Sequence, residues 1–190
     1  MNNSNYQIPG WLALANAVIL LPAIGLGIFL DYAARTFTGA NLIQVLLSIL
    51  FCSLGVYILW SFRHLLNFRY RFNLIDSLIT ALIWINIIIT VLGLYKYFIP
   101  EIKVLQLIFG ITVMALFYGM GVINIVLGVR FLKLNDDMFS LKKPFAYANI
   151  ISGVCILSII LIPFGLLAAI VAYILQGIIF LRAAEDVEFV

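Results

Sequence analysis

Five long stretches without a charged side chain constrain this chain more strongly than any other feature. Each stretch reaches or approaches the roughly 20 apolar residues that a helix needs to cross the hydrocarbon core of a bilayer. Only 10% of the 190 residues are charged, whereas a soluble domain has about 25%, so most of the surface has to face lipid. The sequence therefore predicts an all-α integral membrane protein in which residues 1–190 form one polytopic domain. The five stretches are Met1–Leu30, Thr36–Phe62, Ser77–Tyr95, Val104–Val129 and Pro144–Leu181.

The number of transmembrane helices depends on how the last stretch folds. As one helix, the 37 residues after Pro144 would be roughly 56 Å long, nearly twice the thickness of the ~30 Å core. Pro163 suits the first turn of a new helix, and Gly165 gives the backbone freedom to turn. We therefore predict a bundle of six transmembrane helices. One kinked helix over 145–181 would leave five, and a re-entrant hairpin is a further alternative. The predicted spans are about 11–30, 42–62, 74–95, 104–130, 145–162 and 164–181.

The basic residues of the loops favour six spans and set the orientation. With six spans, one side of the membrane receives three of them, Arg35, Lys96 and Lys103. With five spans, Arg182 changes sides and the excess becomes smaller. Because cytoplasmic loops carry the excess of Lys and Arg, both termini are predicted to lie in the cytoplasm. The short loops indicate a multi-pass protein of a prokaryotic-type cell inner membrane. With six spans, the cytoplasmic side receives Arg63, Arg69, Arg71, Arg130, Lys133, Lys142, Lys143 and Arg182.

The segment "SFRHLLNFRYRF", residues 61–72, concentrates basic and aromatic side chains between the second and third spans. Cations at a helix C-terminus interact favourably with the helix dipole and extend to the headgroups, so the segment is interpreted first as an anchor. Its aromatic residues Phe62, Phe68, Tyr70 and Phe72 are expected at the water boundary. A short loop between two spans offers no folded platform on which bases could stack, so nucleic acid is not expected as a partner.

A second interpretation makes this side of the protein a contact surface for anionic lipid or a partner protein. Each cation near an anionic leaflet contributes about 1 kcal/mol. Arginine also binds phosphate and carboxylate groups in a bidentate geometry that lysine does not offer. The predicted surface comprises Arg63, His64, Arg69, Arg71, Arg130, Lys133, Lys142 and Lys143.

Each predicted span carries small or polar residues at helical spacing. Small residues let helices approach closely, and amide side chains form hydrogen bonds between helices, so these stripes are expected to face inward. Asn124, flanked by Gly121 and Gly128 on one face, is expected to bond to a neighbouring helix. The same amides could instead line a pathway for a solute. The predicted polar interior consists of Asn16, Gln44, Asn86, Asn124, Asn149 and Gln176.

The sequence contains none of the patterns that mark catalytic or ion-coupled membrane proteins. No Asp, Glu, Lys, Arg or His lies near the middle of a predicted span, which argues against proton- or ion-coupled transport. There is no zinc-ligand spacing, phosphate loop or nucleophile motif. Cys52 and Cys155 fall inside spans, where a buried thiol is ordinary. We therefore expect no catalytic centre, no metal and no cofactor.

Three functions follow as hypotheses. The first is an accessory, assembly or lipid-contacting component that acts by helix packing, with membrane lipids, other membrane proteins or a second copy of itself as partners. The alternative is a channel or facilitator for a small neutral solute, lined by the six amides. The third is an intramembrane lipid-modifying enzyme, which requires His64, Asp76 or the pair Asp136 and Asp137 to converge in a cleft. Asp76 is otherwise expected in the first turn of the third span, where a carboxylate suits the helix dipole.

Overall fold

Lipid offers no partner to backbone N–H and C=O groups, so the apolar stretches satisfy these groups within helices. The computed structural model describes residues 4–33, 39–95 and 103–185, and within them the regular structure is entirely helical. The predicted all-α membrane bundle is confirmed. The helices are α1 (Ser4–Ala33), α2 (Gly39–Arg69), α3 (Asp76–Tyr95), α4 (Lys103–Phe131), α5 (Lys142–Leu157) and α6 (Ile162–Glu185), with a 3₁₀ turn at Ile159–Leu161.

The last apolar stretch folds as an antiparallel hairpin of α5 and α6. Ser152 Oγ donates a hydrogen bond to the Gly165 carbonyl at 3.3 Å, whereas one continuous helix would hold these residues about 20 Å apart. The kinked-helix alternative is therefore wrong. Pro163 lies in the first turn of α6, as predicted, but the chain reverses earlier, at Ser158, whose backbone is extended. Gly165 serves close packing, because a Cβ there would lie 3.1 Å from Cys155 Cβ.

The prediction of six full spans is corrected at α5. Five helices within the described ranges, α1 to α4 and α6, are long and apolar enough to cross a membrane. Helix α5 has 16 residues and is about 24 Å long, which is shorter than the ~30 Å core. The sequence did not reveal this because the uncharged stretch continues through the 3₁₀ turn without a change in composition.

The helices close a ring. Each helix packs against the next one in the chain, and α6 packs against α1. Glycines allow this closure, since a Cβ on Gly177 of α6 would lie 3.0 Å from the Gly10 carbonyl of α1. The Tyr6 ring, near the start of α1, stacks on Phe180, near the end of α6, at 6.4 Å. The first and last described turns of the chain therefore lie at the same end of the ring.

That end of the ring is closed by aromatic side chains, which we call the aromatic floor: Phe62, Phe131, Phe145 and Phe180. The Phe62 ring lies 5.8 Å from Phe131, 5.3 Å from Phe145 and 5.9 Å from Phe180. All four side chains are buried, and they come from α2, α4, α5 and α6. Beyond the floor lies the basic face, which carries Arg63, Arg69, Arg130, Lys142 and Arg182. We call the other end of the ring the opposite face.

Candidate functional site

Two partly open cavities lie between the described helices. Cavity A has a volume of about 340 Å³ and lies between α2, α3, α4, α5 and α6. Its wall is mostly apolar, with hydrogen-bonding side chains at intervals. Those side chains are Asn86, Asn124, Asn149, Ser152, Tyr173 and Gln176.

Cavity B has a volume of about 470 Å³ and lies between α1, α2 and α3, with one contribution from α6. It extends toward the opposite face, because Gln44 near the start of α2 and Gly93 near the end of α3 both line it. Its hydrogen-bonding side chains are Asn16, Gln44, Ser48, Asn86, Thr90 and Tyr173.

The structure places all six amides of the predicted polar interior on the walls of these two cavities. They come from six different helices, so each helix contributes one amide to the inside of the ring. The small residues of the same stripes have a different position. Gly121 lies against Gly153, and Gly128 lies against Ala146, at the α4–α5 contact. The stripes therefore divide into glycines that join helices and amides that face enclosed space.

The two cavities meet at a junction formed by Asn16, Gly55, Asn86 and Tyr173. Asn86 and Tyr173 line both cavities. Asn16 forms a side-chain hydrogen bond with Tyr173. A Cβ on Gly55 would lie only 2.8 Å from Asn86 Nδ2, so the amide occupies the space that a larger residue would fill. Tyr173 was missed from the sequence, although it lies one helical turn before Gln176 in α6 and so shares its face.

The amides of cavity A retain unused hydrogen-bonding capacity. Gln176 is only 4% exposed, and its Nε2 has no hydrogen-bond partner among the described residues. Asn149 Nδ2 donates to the Phe145 carbonyl of its own helix at 2.8 Å. The expected interhelical bond of Asn124 is not found to any described residue, and its half-buried side chain lines the cavity instead. Since buried polar groups are normally paired, this cavity suits an occupant that forms hydrogen bonds.

The aromatic floor closes the cavities toward the basic face. Phe62 and Phe145 belong both to the floor and to the wall of cavity A. Among the described residues, the lining of the two cavities includes none of the basic side chains beyond the floor. Phe62 and Phe72 were expected at the water boundary, and this was wrong, because they are 2% and 7% exposed. Phe68, at 67% exposed, does lie on the surface.

Most arginines of the basic face hold the loops to the helix ends. Arg69 Nη1 donates to the Ala183 carbonyl at 2.8 Å, and its guanidinium lies 5.4 Å from the centre of the Phe139 ring. Arg130 Nη1 donates to the Leu74 carbonyl at 2.7 Å. Cations satisfy terminal helix carbonyls favourably. Lys142 and Arg182 also donate to loop carbonyls, those of Leu134 and Phe139.

The predicted cationic surface is therefore divided between structural and exposed residues. Arg71, Lys133 and Lys143 are exposed, and His64 lies between the rings of Trp60 and Phe68, at 6.2 and 5.8 Å. Contact of this face with anionic lipid or a partner stays a prediction. Of the basic residues assigned to the other side, Lys103 begins α4, and Arg35 and Lys96 lie outside the described residues.

Asp76 and Asp136 each form local hydrogen bonds. Asp76 begins α3, as expected, where its Oδ2 accepts from Asn67 Nδ2 at 2.7 Å and lies 3.3 Å from Arg63 Nη2. Asp136 Oδ1 accepts from the Met138 backbone N–H at 2.7 Å. Across the described ranges, no group of three or more His, Cys, Asp and Glu side chains is arranged to hold a metal ion.

No protein-family model matches this chain, and no curated protein or solved structure matches it either.

Proposed function

We propose that the protein binds a small uncharged molecule inside the membrane and facilitates its passage. One observation carries this proposal: amides from all six helices line two cavities that share Asn86 and Tyr173. A primary amide both donates and accepts hydrogen bonds, so such a wall replaces the water that a polar molecule loses on entering the bilayer.

The chemistry of the walls supports an uncharged occupant. No charged side chain is among the described residues that line either cavity. Burying an ion without a partner costs many kcal/mol, so ions are excluded while neutral hydrogen-bonding groups are accepted. The volumes of about 340 and 470 Å³ fall within the range of small-molecule sites.

The aromatic floor favours a carrier with a binding site over an open channel. A channel needs a continuous path, whereas Phe62, Phe131, Phe145 and Phe180 fill the end of the ring. Passage would require these rings to part. Because they come from four helices, a small tilt of the α5–α6 hairpin relative to α2 and α4 would open them.

Glycerol entry into liposomes tests the proposal. Liposomes that contain the purified protein are placed in a glycerol gradient, and their swelling is followed by light scattering. We expect faster entry than in protein-free liposomes, and a lower rate with Asn86→Leu, which removes the amide shared by both cavities. Thr112→Val is the matched control, because Thr112 is exposed on α4 and its hydroxyl bonds to Ile108 of its own helix. Equal entry of glycerol and urea with and without protein would overturn the proposal.

An accessory or assembly role through helix packing stays a prediction and needs a partner helix to support it. The absence of catalysis also stays an expectation. The third hypothesis requires catalytic carboxylates, and two of those it names, Asp76 and Asp136, already form local hydrogen bonds.

A further inference from the structure

We infer that cavity A takes an uncharged amphiphile that enters sideways from the lipid, with its polar head among the amides and its apolar chain left at the mouth. This inference rests on the proposed function, because it names the class of molecule that the cavity accepts. Four features of the structure support it: the depth of the α5–α6 hairpin, the composition of its tip, the lining of the mouth of cavity A and the hydrogen bonding of the amides inside it.

The tip of the hairpin lies within the bilayer core. The contacts of Gly121 with Gly153 and of Gly128 with Ala146 set the register of α5 on α4, and this register places Leu157 level with Phe117. The Tyr95 ring, at the end of α3, lies 4.5 Å from the Phe109 ring of α4. Phe117 is eight residues beyond Phe109 along α4, or about 12 Å deeper. The hairpin therefore stops well short of the end of α3.

The composition of the tip agrees with this depth. Ile160 is 88% exposed and Phe164 is 61% exposed, and between Ser158 and Gly165 every side chain is apolar. A loop that met water would carry polar side chains. We therefore expect this tip to contact lipid chains, which belong to the leaflet next to the opposite face.

The mouth of cavity A opens at the same level. Phe117, Ile156, Ile162 and Leu166 form its wall there, and Phe117 and Ile162 are 44% and 43% exposed. This rim offers no hydrogen bond to a hydrated solute, and it lies at mid-bilayer depth. A molecule that arrives here is already dissolved in lipid.

The inner wall selects the head of that molecule. Gln176 is 4% exposed, and its Nε2 has no hydrogen-bond partner among the described residues. It lies at the end of cavity A next to the aromatic floor, and Asn124 and Asn149 line the same space. These amides suit a hydroxyl or carbonyl group. Phospholipids are excluded because their charged headgroups would find no charged partner. A volume of about 340 Å³ holds a small head and part of one chain.

Photolabelling tests this inference. The probe is an octadecenol that carries a diazirine near its hydroxyl end, added to the purified protein in mild detergent, and the labelled residues are mapped by mass spectrometry. We expect labelling at the wall of cavity A. Gln176→Leu should weaken the labelling about fivefold, the effect of losing one net hydrogen bond. The sulfate ester of the same probe carries a permanent charge and should label these residues far less.

A matched pair of substitutions controls for folding. Ala169→Phe fills cavity A, whereas Val171→Phe adds the same ring to the exposed face of the same helix. We expect Ala169→Phe to abolish the labelling and Val171→Phe to preserve it, with both melting temperatures recorded. Equal labelling by the alcohol and the sulfate would overturn the inference, as would labels confined to lipid-facing residues.

Glycerol entry without labelling would leave the proposed function in place and refute the amphiphile. Labelling without accelerated glycerol entry would support the ligand class and refute the proposed passage.

Discussion

At the scale of single residues, the main feature is a set of amides that face enclosed space rather than one another. Interhelical polar bonds in membranes contribute only about 0.6 kcal/mol on average, so a helix bundle does not need such amides to hold together. All six were identified from the sequence, because Asn and Gln are rare in the predicted spans. The sequence does not determine the register between neighbouring helices. It therefore could not show whether these amides would bond to one another or line a cavity.

Asn124 provides the first prediction. Asn124→Leu should leave the melting temperature in detergent unchanged or raise it, because the amide has no hydrogen bond to a described residue and an apolar side chain of similar volume suits the cavity wall. Asn149→Leu is the comparison, since it removes the bond to the Phe145 carbonyl and should lower stability slightly. A clear drop for Asn124→Leu would show that its amide is paired after all.

Arg69 and Arg71, at the end of α2 and just after it, provide the second prediction. Arg69→Lys should lower the unfolding free energy by about 1 kcal/mol, because lysine loses the stacking on Phe139 and the geometry of the bond to Ala183. Arg71→Lys should have no measurable effect, since Arg71 is exposed. Thermal unfolding in detergent distinguishes the two variants, and equal effects would contradict the structural role assigned to Arg69. The sequence alone does not show that Arg69 has a structural role and that Arg71 is exposed.

At the scale of helices, glycines decide which pairs pack most closely. A Cβ on Gly153 would lie 2.5 Å from the Gly121 carbonyl and 2.8 Å from the Ile125 side chain. Neither backbone can yield without moving a whole helix, so this contact sets the distance between α4 and α5. The small residues at this contact were identified from the sequence, but the partner of each helix was not.

The third prediction compares two glycines of the membrane helices. Gly153→Ala should destabilise the protein by about 1–3 kcal/mol, the usual penalty for overpacking. Gly110→Ala should be neutral or slightly stabilising, because no atom of the described residues lies within 4 Å of its added Cβ and alanine favours the helix. Melting temperatures in detergent test both variants. A neutral Gly153→Ala would contradict the close approach of α4 and α5.

Helix boundaries show where sequence reasoning stops. The position of Pro163 within the first turn of α6 followed from its missing N–H and fixed φ. The end of α5 at Leu157 did not follow, because Ser158 to Ile162 has the same apolar composition as the helix before it. Five of the six predicted spans therefore correspond to described helices that are long and apolar enough to cross a membrane. The exception is the span that lacks a composition signal at its end.

At the scale of the whole molecule, ring closure is what creates an interior. Contacts between consecutive helices alone would give an open layer, whereas the packing of α6 on α1 encloses the cavities. The aromatic floor was not predicted, since each of its four rings belongs to a different helix and none is unusual in its local sequence. The burial of Phe62 follows from this convergence.

Native cysteines test the enclosed space directly. Cys52 lines cavity B, and Cys155 is 8% exposed and lines neither cavity. We expect the small uncharged reagent methyl methanethiosulfonate to modify Cys52 faster than Cys155 in the folded protein. Intact-mass measurements on Cys52→Ser and Cys155→Ser assign the two rates. Equal rates would indicate that cavity B is not accessible to small molecules.

The pairing of α1 with α6 also has a consequence for membrane insertion during synthesis. The ribosome synthesises α1 first and α6 last, so Asn16 and Gly10 enter the bilayer before their partners Tyr173 and Gly177 exist. Until then, the membrane-insertion machinery or lipid has to shelter the polar face of α1. When several chains are inserted close together, α1 of one chain meets α6 of another, and a domain-swapped dimer is the expected misassembled product.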